Sequence, residues 1–172
     1  MSNCYKYDIY EVPIGWIGVI STQVGLTNCF IDSNQTTLHN RMNAFITIDE
    51  TLKLNSRMLQ TSITNYFLGI SNNLNNISLD IPHTSPPFFK KLWEACRTIP
   101  PAETRSYGWL ADQAGNKKAV RAAGQAMKKN KLPLFIPCHR VILSSNQLGN
   151  YTSGGTVMKQ FLLDLESGGY YA

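Results

Sequence analysis

The hydrophobic pattern of this 172-residue chain changes its period near residue 49, and that change limits the possible folds more than any other feature. Before it, apolar and polar residues alternate over 5–9, as in a half-buried strand. Turn residues at 13–15 lead to a second β-rich run over 16–20, which predicts a hairpin. A third strand is predicted over 26–31.

Helical spacing replaces this alternation from Asp49 onward and predicts a helix that stops near Gly69. The asparagine-rich segment 71–78 is then an exposed connection, and the polar segment 32–40 is interpreted as a loop. A sheet followed by a helix predicts a mixed α and β class, with one small α/β domain over 1–80.

Four further helices are predicted in the second half, which we place in a domain over 85–172, and end signals mark the first three. Ser85 and the two prolines after it predict a helix start with a hydroxyl N-cap. Ser106 can cap a helix over 107–114, and after a Gly-Asn turn a second helix covers 117–129. Two short helices joined by such a turn are typical of a helix-turn-helix, whose second helix enters a groove of DNA.

The second helix of this pair has two different faces. Its inward face is predicted to carry Val120, Ala123 and Met127, and its other side the basic residues Lys117, Arg121 and Lys128. The segments that follow are interpreted as a buried strand over 132–137, a hairpin or wing over 141–151 and a last helix over 157–165.

Charge separates the two halves of the chain. Residues 1–85 carry four Lys and Arg against six acids, a net −2, and residues 86–172 carry twelve against five, a net +7. This asymmetry indicates that the second half contacts a polyanion, with nucleic acid the leading candidate. No apolar run is long enough to cross a bilayer and the start lacks a signal-peptide pattern, so we expect no membrane partner and a cytoplasmic protein.

Cys138 and His139 are adjacent within the sequence Pro-Cys-His-Arg-Val. A cysteine is a strong nucleophile as thiolate, and a nearby imidazole or cation lowers its pKa. Glu166 could hold the second imidazole nitrogen, and Lys159 lies two helical turns before it. Spacing alone leaves open that Cys138 and His139 are ordinary core residues and that the other two are exposed helix charges.

Residues 88–166 resemble the O6-alkylguanine-DNA alkyltransferases, also called methylated-DNA–protein-cysteine methyltransferases. The resemblance rests on motifs in the family's order: Ser106-Tyr107, Ala114-Gly115-Asn116, Arg121-Ala122, Met127, Asn130, Ile136 to Val141, Gly149-Asn150-Tyr151, Lys159, Leu162-Leu163 and Glu166. It implies a small N-terminal ribonuclease H-like domain followed by a winged helix-turn-helix domain. It also implies irreversible, single-turnover transfer of an alkyl group from O6-alkylguanine in duplex DNA, after base flipping, to Cys138.

The resemblance assigns roles to individual residues. His139, acting through a water molecule, would deprotonate Cys138, and Glu166 would hold His139. Tyr107 would donate to N3 of the leaving guanine, Asn130 would support the loop before the cysteine, and Lys159 would steady the site electrostatically. The base would be bound by Met127, by backbone carbonyls of Cys138 and Val141 and by the loop Tyr151, Thr152, Ser153 and Gly154.

Contacts to DNA are implied for the turn and the second helix. Arg121 would fill the space that the flipped base leaves, with a phosphate contact as the alternative. The remaining residues assigned to DNA are Asn116, Lys117, Ala119, Ala122 and Lys128. The alanine-rich face would let the helix approach the minor groove closely.

This chain departs from the family pattern at two places. Between Tyr151 and Lys159 it has one residue more than the usual spacing, which leaves open whether Thr152 or Ser153 contacts O6. Thr22 and Thr27 occupy two positions where some animal relatives have zinc ligands. The possible ligands Cys4, Cys29, His39 and His83 match no known spacing, so we expect no metal and no cofactor.

Two other functions compete with alkyl transfer. A non-catalytic protein that binds the same lesion would have the pocket without the reactive cysteine, whereas Cys138 is present. A winged-helix transcription regulator would explain the basic helix pair but not the Pro-Cys-His-Arg-Val motif or Glu166. We expect a monomer, associated with the nucleoid or, in a eukaryote, with the nucleus.

Overall fold

A computed structural model describes residues 5–70 and 74–168 of the chain. The backbone separates into two compact units, 1–81 and 82–172. Cys4 and the first part of the predicted connection, residues 71–73, lie outside the described residues. The fold is a mixture of α-helices and short sheets, as the sequence predicts. No helix among the described residues is long and apolar enough to cross a membrane.

The first unit opens with a three-stranded antiparallel sheet in the order β1-β2-β3. Strand β1 is Lys6–Val12, β2 is Gly15–Ser21 and β3 is Leu26–Asp32, so all three predicted strands are confirmed. One face of the sheet is packed by helix α1, Gln35–Asn43. Leu38 and Met42 of that helix enter the core cluster with Tyr7, Ile20 and Phe30.

Helix α1 lies where the sequence predicts a loop, so that prediction is wrong. Asn34 caps the helix by accepting a hydrogen bond from Thr37 N at 3.0 Å. Only Leu38 and Met42 are buried on an otherwise polar helix, which is why no helical periodicity was visible. The cap residue was the available signal.

The helix predicted from residue 49 begins later than expected. A 3₁₀ turn, Glu50–Leu52, comes first, and helix α2 is Arg57–Phe67. Ser56 caps α2 by accepting from Leu59 N at 3.3 Å. Gly69, with φ of 68°, follows the helix end, so the predicted stop is confirmed.

The second unit is mainly helical. Its elements are helix α3 (Pro87–Arg97), strand β4 (Arg105–Ser106), helix α4 (Tyr107–Gln113), helix α5 (Val120–Lys128), a 3₁₀ turn (Cys138–Arg140), strand β5 (Val141–Ile142) and helix α6 (Gly155–Glu166). Strands β4 and β5 pair in parallel. The indole of Trp93 donates to Ala126 O at 3.0 Å and connects α3 to α5.

Helix ends follow the predicted capping only in part. Ser106 caps α4 by accepting from Trp109 N at 3.0 Å, as predicted. Ser85 does not cap α3, because the capping position is Pro86 and no side chain bonds there. Helix α5 starts three residues later than predicted, since residues 117–119 form a turn in which Ala119 N donates to Asn116 O at 2.9 Å.

Three other local predictions are wrong. Val120 is 43% exposed instead of packed inward, although Ala123 and Met127 are buried as expected. Residues 132–137 are buried but form tight turns, with Leu134 at a φ of 71°, and not a strand. In 141–151 the strand β5 pairs with β4, and residues 148–151 form no strand, so the predicted hairpin is absent.

The cap at Ser106 gives a direct test of this local structure. We expect Ser106→Ala to lower the free energy of unfolding by about 1 kcal/mol, because Trp109 N loses its acceptor at the start of α4. Urea unfolding of the two proteins measures the difference. Ser145→Ala, at an exposed turn, is the control and should change stability little. Equal losses in both variants would contradict the capping role.

Candidate active site

Cys138 begins the 3₁₀ turn that follows the buried segment 132–137. Its side chain is 8% exposed and forms part of the wall of a cavity. Backbone bonds close both the segment and the turn, with Ile136 N donating to Leu132 O at 2.8 Å and Arg140 N donating to Pro137 O at 2.9 Å. Cys138 is therefore part of a compact, irregular segment, and its own N donates to Ile136 O at 2.7 Å.

Asn130 holds both this segment and the sulfur atom. Its Nδ2 donates to Ile136 O at 2.9 Å and to Cys138 Sγ at 3.1 Å, and its Oδ1 accepts from Leu132 N at 2.9 Å. The predicted support of the loop thus has a geometric basis. The contact with Sγ is additional, and a donor at that distance stabilises a thiolate more than a thiol.

His139 is fully buried and faces the carboxylate of Glu166. Nε2 of the ring lies 2.8 Å from Glu166 Oε1. No described residue forms a hydrogen bond with Nδ1 of the same ring. Glu166 also accepts from Ala102 N at 3.2 Å, which links α6 to the loop after α3. An imidazole held in this way by a carboxylate has one nitrogen committed and the other open to proton transfer.

Arg140 reaches the same carboxylate from the next position in the chain. Its Nη2 donates to Glu166 Oε1 at 2.8 Å and its Nε donates to Oε2 at 3.0 Å. Its Nη1 donates to Ile99 O at 2.7 Å. No role was predicted for Arg140, although its position beside His139 in the motif was the available signal.

Lys159 and Glu166 are buried, so they are not the exposed helix charges that spacing alone favours. Lys159 is 0% exposed, and its Nζ donates to Val141 O at 2.6 Å and to Leu148 O. It therefore connects the strand after the cysteine with the loop that leads to Tyr151. The Val141 carbonyl, predicted to bind the base, already accepts this bond.

Burial sets the protonation of these groups. It raises the pKa of the Cys138 thiol, while the bond from Asn130 and the charge of Lys159 act in the opposite direction. Burial also lowers the pKa of His139, opposed by the bond to Glu166, and lowers the pKa of Lys159 to about 8. For Glu166 burial acts to raise the pKa, but the bond to His139 and the bonds and charge of Arg140 hold the pKa of the carboxyl below its ordinary value.

A cavity of about 560 Å³ opens beside the thiol. Its walls include the predicted residues Tyr107, Arg121, Met127, Lys128, Cys138, Tyr151 and Thr152. Ser153 and Gly154 do not reach it, so Thr152 is the loop residue beside the cavity after Tyr151. Val120, Gly124, Leu143, Gly149 and Asn150 complete the walls and were not predicted as site residues.

The other residues assigned to DNA lie outside the cavity wall. Asn116 accepts from Lys118 N at 3.2 Å in the turn before α5, and Lys117 is exposed there. Ala119 and Ala122 are half-buried near the start of α5. These four residues and the two cavity residues Arg121 and Lys128 belong to one stretch, 116–128, of the second unit.

Of the possible metal ligands, Cys29, His39 and His83 lie in the described part of the chain. Among residues 5–70 and 74–168, no group of three or more His, Cys, Asp or Glu side chains could hold a metal ion. Cys29 is buried, whereas His83 is exposed. Thr22 donates to Asp80 at 2.6 Å, and Thr27 donates to Ile20 O at 3.1 Å.

Comparison with known proteins points to the same family that the sequence motifs resemble. The family described as 6-O-methylguanine DNA methyltransferase, DNA binding domain, matches residues 87–168. A methylated-DNA–protein-cysteine methyltransferase of Methanosarcina acetivorans is 34% identical over 160 residues, which cover 93% of this chain and 97% of that protein. The constitutive enzyme of that name from Bacillus subtilis is 47% identical over 89 residues, 52% of this chain and about half, 54%, of its own length.

Solved structures give the same family over nearly the whole chain. The crystal structure of Mycobacterium tuberculosis O6-methylguanine methyltransferase has a TM-score of 0.75 and 32% identity, covering 98% of this chain and 96% of that one. Mycobacterium tuberculosis OGT in complex with DNA has a TM-score of 0.74 and 33% identity, covering 95% of this chain and 93% of that one. With these matches on both units, the chain belongs to the methylated-DNA–protein-cysteine methyltransferase family.

Proposed function

We propose that this protein repairs DNA by transferring an alkyl group from O6 of guanine to Sγ of Cys138. The observation that carries the proposal is the buried Cys138 at the wall of a cavity large enough for a base, followed in the chain by His139, which is paired with Glu166. The cavity opens beside α5, in the half of the chain with a net charge of +7. A fixed nucleophile, a base and a basic surface fit a reaction on DNA better than binding alone.

The substrate nucleotide must leave the duplex before it can react. O6 of guanine is inside the base stack, so a protein that acts on it flips the nucleotide into a pocket. Arg121 at the cavity mouth occupies the vacated space, and the exposed basic residues of 116–128 contact phosphates. In this proposal α4 and α5 act as the helix-turn-helix of a winged domain, and the first unit is its ribonuclease H-like support.

Transfer is a displacement at the alkyl carbon. The proton of the Cys138 thiol passes through a water molecule to Nδ1 of His139, whose Nε2 faces Glu166. The thiolate sulfur forms a bond to carbon as the bond from carbon to O6 breaks, and guanine leaves as an anion. Asn130 stabilises the thiolate through its bond to Sγ.

Tyr107 completes the reaction by donating to N3 of the leaving guanine. Burial and the nearby Cys138 raise the pKa of its phenol, so it stays protonated at neutral pH and remains a donor. Its bond gains strength only as negative charge develops on the base. The product is a thioether that no group in the site can hydrolyse, so one molecule repairs one lesion.

The substrate, partner and location follow from this reaction. The DNA is double-stranded and carries O6-alkylguanine, the protein acts as a monomer, and it is found in the compartment that holds the DNA. Thr152 lies over the base with Tyr151 and Met127, since these three line the cavity. Val141, whose carbonyl bonds to Lys159, still has a second lone pair for the exocyclic amine.

Intact-protein mass spectrometry tests the transfer directly. After incubation with duplex DNA bearing one O6-methylguanine, we expect the wild-type mass to rise by one methylene unit and the added mass to map to Cys138. Cys138→Ser should gain nothing, and Cys29→Ser, which alters a buried thiol of the first unit, should react like wild type. Tight binding of the lesion with no change in mass would point to a lesion-binding protein without catalysis.

The contact between Asn130 and the sulfur predicts a change in thiol reactivity. Asn130→Asp keeps an acceptor for Leu132 N but loses the donor to Sγ and adds a negative charge, so the pKa of Cys138 should rise further. We expect slower alkylation of Cys138 by iodoacetamide, with its pH dependence moved to higher pH. The rate is measured by peptide mass spectrometry, with exposed Asn40→Ala as control. An unchanged pH dependence would contradict the role of Asn130.

Substitution of Gly124 by alanine is predicted to raise the stability of the protein and to weaken its binding to DNA. It lies within α5 at the cavity wall, and a Cβ added there would meet no atom within 4 Å. Because alanine favours helix more than glycine, Gly124→Ala should stabilise the free protein by about 1 kcal/mol. In the DNA complex its methyl group would lie between helix and substrate, so we expect binding of lesion DNA to weaken about tenfold, or about 1.4 kcal/mol.

The neighbouring variant Gln125→Ala is the control for Gly124→Ala, since Gln125 is exposed and does not line the cavity. Thermal unfolding gives the stability of each protein, and fluorescence anisotropy with lesion DNA gives the affinity. A more stable Gly124→Ala protein that binds DNA as tightly as wild type would show that α5 does not approach the substrate closely.

A further inference from the structure

Arg140 is a buried cation to which the proposed transfer assigns no step. Its guanidinium forms a two-pronged pair with Glu166, through Nη2 to Oε1 at 2.8 Å and Nε to Oε2 at 3.0 Å. The same Oε1 atom faces Nε2 of His139 at 2.8 Å. One carboxylate therefore bonds to two adjacent residues of the chain, and its charge state determines which nitrogen of the imidazole carries a hydrogen.

The pair of His139 and Glu166 without Arg140 would tend to bind a proton. A buried carboxylate beside a neutral imidazole carries one uncompensated negative charge, which burial disfavours. If His139 takes the proton, the imidazolium carries hydrogens on both nitrogens. If Glu166 takes it, the carboxylic acid donates to Nε2, and the hydrogen of the neutral ring is on Nδ1. In both cases Nδ1 has no lone pair to accept a proton.

Arg140 prevents both outcomes. Its charge compensates the carboxylate, and its two-pronged contact leaves Oε1 as an acceptor for the Nε2 proton of a neutral ring. We propose that Arg140 is a positioning residue that holds Glu166 as a carboxylate and thereby keeps the Nδ1 lone pair of His139 available. This inference rests on the proposed function, in which Nδ1 receives the proton of the Cys138 thiol.

Lys159 is the other cation near His139, and like Arg140 it favours the neutral ring. Burial is the largest effect on the pKa of His139 and lowers it. The bond and charge of Glu166 raise that pKa, and the positive charges of Arg140 and Lys159 lower it further. The ring also meets Tyr151 edge to face at 6.4 Å, and Cys138 precedes it in the turn. Near the thiol lie the buried Cys96 thiol of α3 and the Tyr107 phenol, both protonated because burial raises their pKa.

Arg140→Gln removes the charge and the two-pronged contact together. We expect His139 Nδ1 to carry a hydrogen at neutral pH in this variant and to lose it only at higher pH. The rate of alkyl transfer should then fall at neutral pH and recover by about tenfold for each unit of pH increase up to the new titration point. Arg140→Lys keeps the charge but loses the geometry, so we expect a mixture of ring tautomers and a smaller loss of rate.

Nitrogen-15 NMR of the full-length protein labelled at histidine reports which ring nitrogen is protonated, with the His139 signals assigned through His139→Gln. The pH dependence of single-turnover transfer is measured on the same proteins. Arg41→Gln is the matched control, because it breaks an arginine–carboxylate pair of 3.0 Å with Asp32 in the first unit. It should change neither the His139 signals nor the pH profile.

Each result decides the proposal. A folded Arg140→Gln protein with wild-type His139 signals and a wild-type pH profile overturns it, because Arg140 would then be structural only. If Arg140→Gln does not fold, Arg140→Met decides, because it removes the charge but keeps an apolar side chain of similar length: a hydrogen on His139 Nδ1 at neutral pH supports the proposal, and wild-type signals overturn it. If the wild-type protein transfers no alkyl group, the proposed function fails, but the NMR signals of the variants still test Arg140 on their own.

Discussion

The carboxylate of Glu166 is the point on which the reactive part of the second unit depends. It accepts from His139, from Arg140 and from the backbone of Ala102, and Arg140 in turn donates to Ile99 O. The last turn of α6 is thereby connected to the end of α3, to the loop after it and to the cysteine turn. The bonds to Glu166 end on an ionised carboxylate in a buried place, where the loss of one partner leaves an uncompensated charge and is costly.

The charges around the thiol also favour the proposed chemistry. Among the described residues of the second unit, the buried ionised groups are Lys159 and Arg140 against Glu166, with His139 neutral because burial lowers its pKa. This set carries one excess positive charge, and it keeps that charge in the proposed transfer, because the thiolate and the imidazolium that form together cancel. Burial keeps the resting thiol protonated, while this excess charge stabilises the anion when the proton leaves. The same excess charge faces the negative charge that moves to the guanine during transfer.

Local signals in the sequence predicted the parts of the fold that local interactions determine. Ser106 caps α4 through its own hydroxyl, and Gly69 follows the end of α2 in a left-handed conformation. Tertiary contacts decided the rest. Residues 132–137 are apolar enough for a buried strand, but they turn instead, and the Asn130 side chain bonds to two of their backbone groups, Leu132 N and Ile136 O. Likewise, no spacing rule could show that Lys159 is buried, because its partners are two backbone carbonyls.

The site residues were predicted from the family motifs, and the structure brings several of them to one cavity, but motif matching could not assign the loop with the extra residue. This loop leads into α6 through Gly154 and Gly155, which both have positive φ, at 106° and 71°. A side chain at position 154 would also approach Met158 Cβ to 2.8 Å, so only glycine fits without strain. Beyond the glycines, Lys159 and Glu166 lie two turns apart on α6. Lys159 bonds to the strand after the cysteine turn, and Glu166 bonds to His139 within that turn.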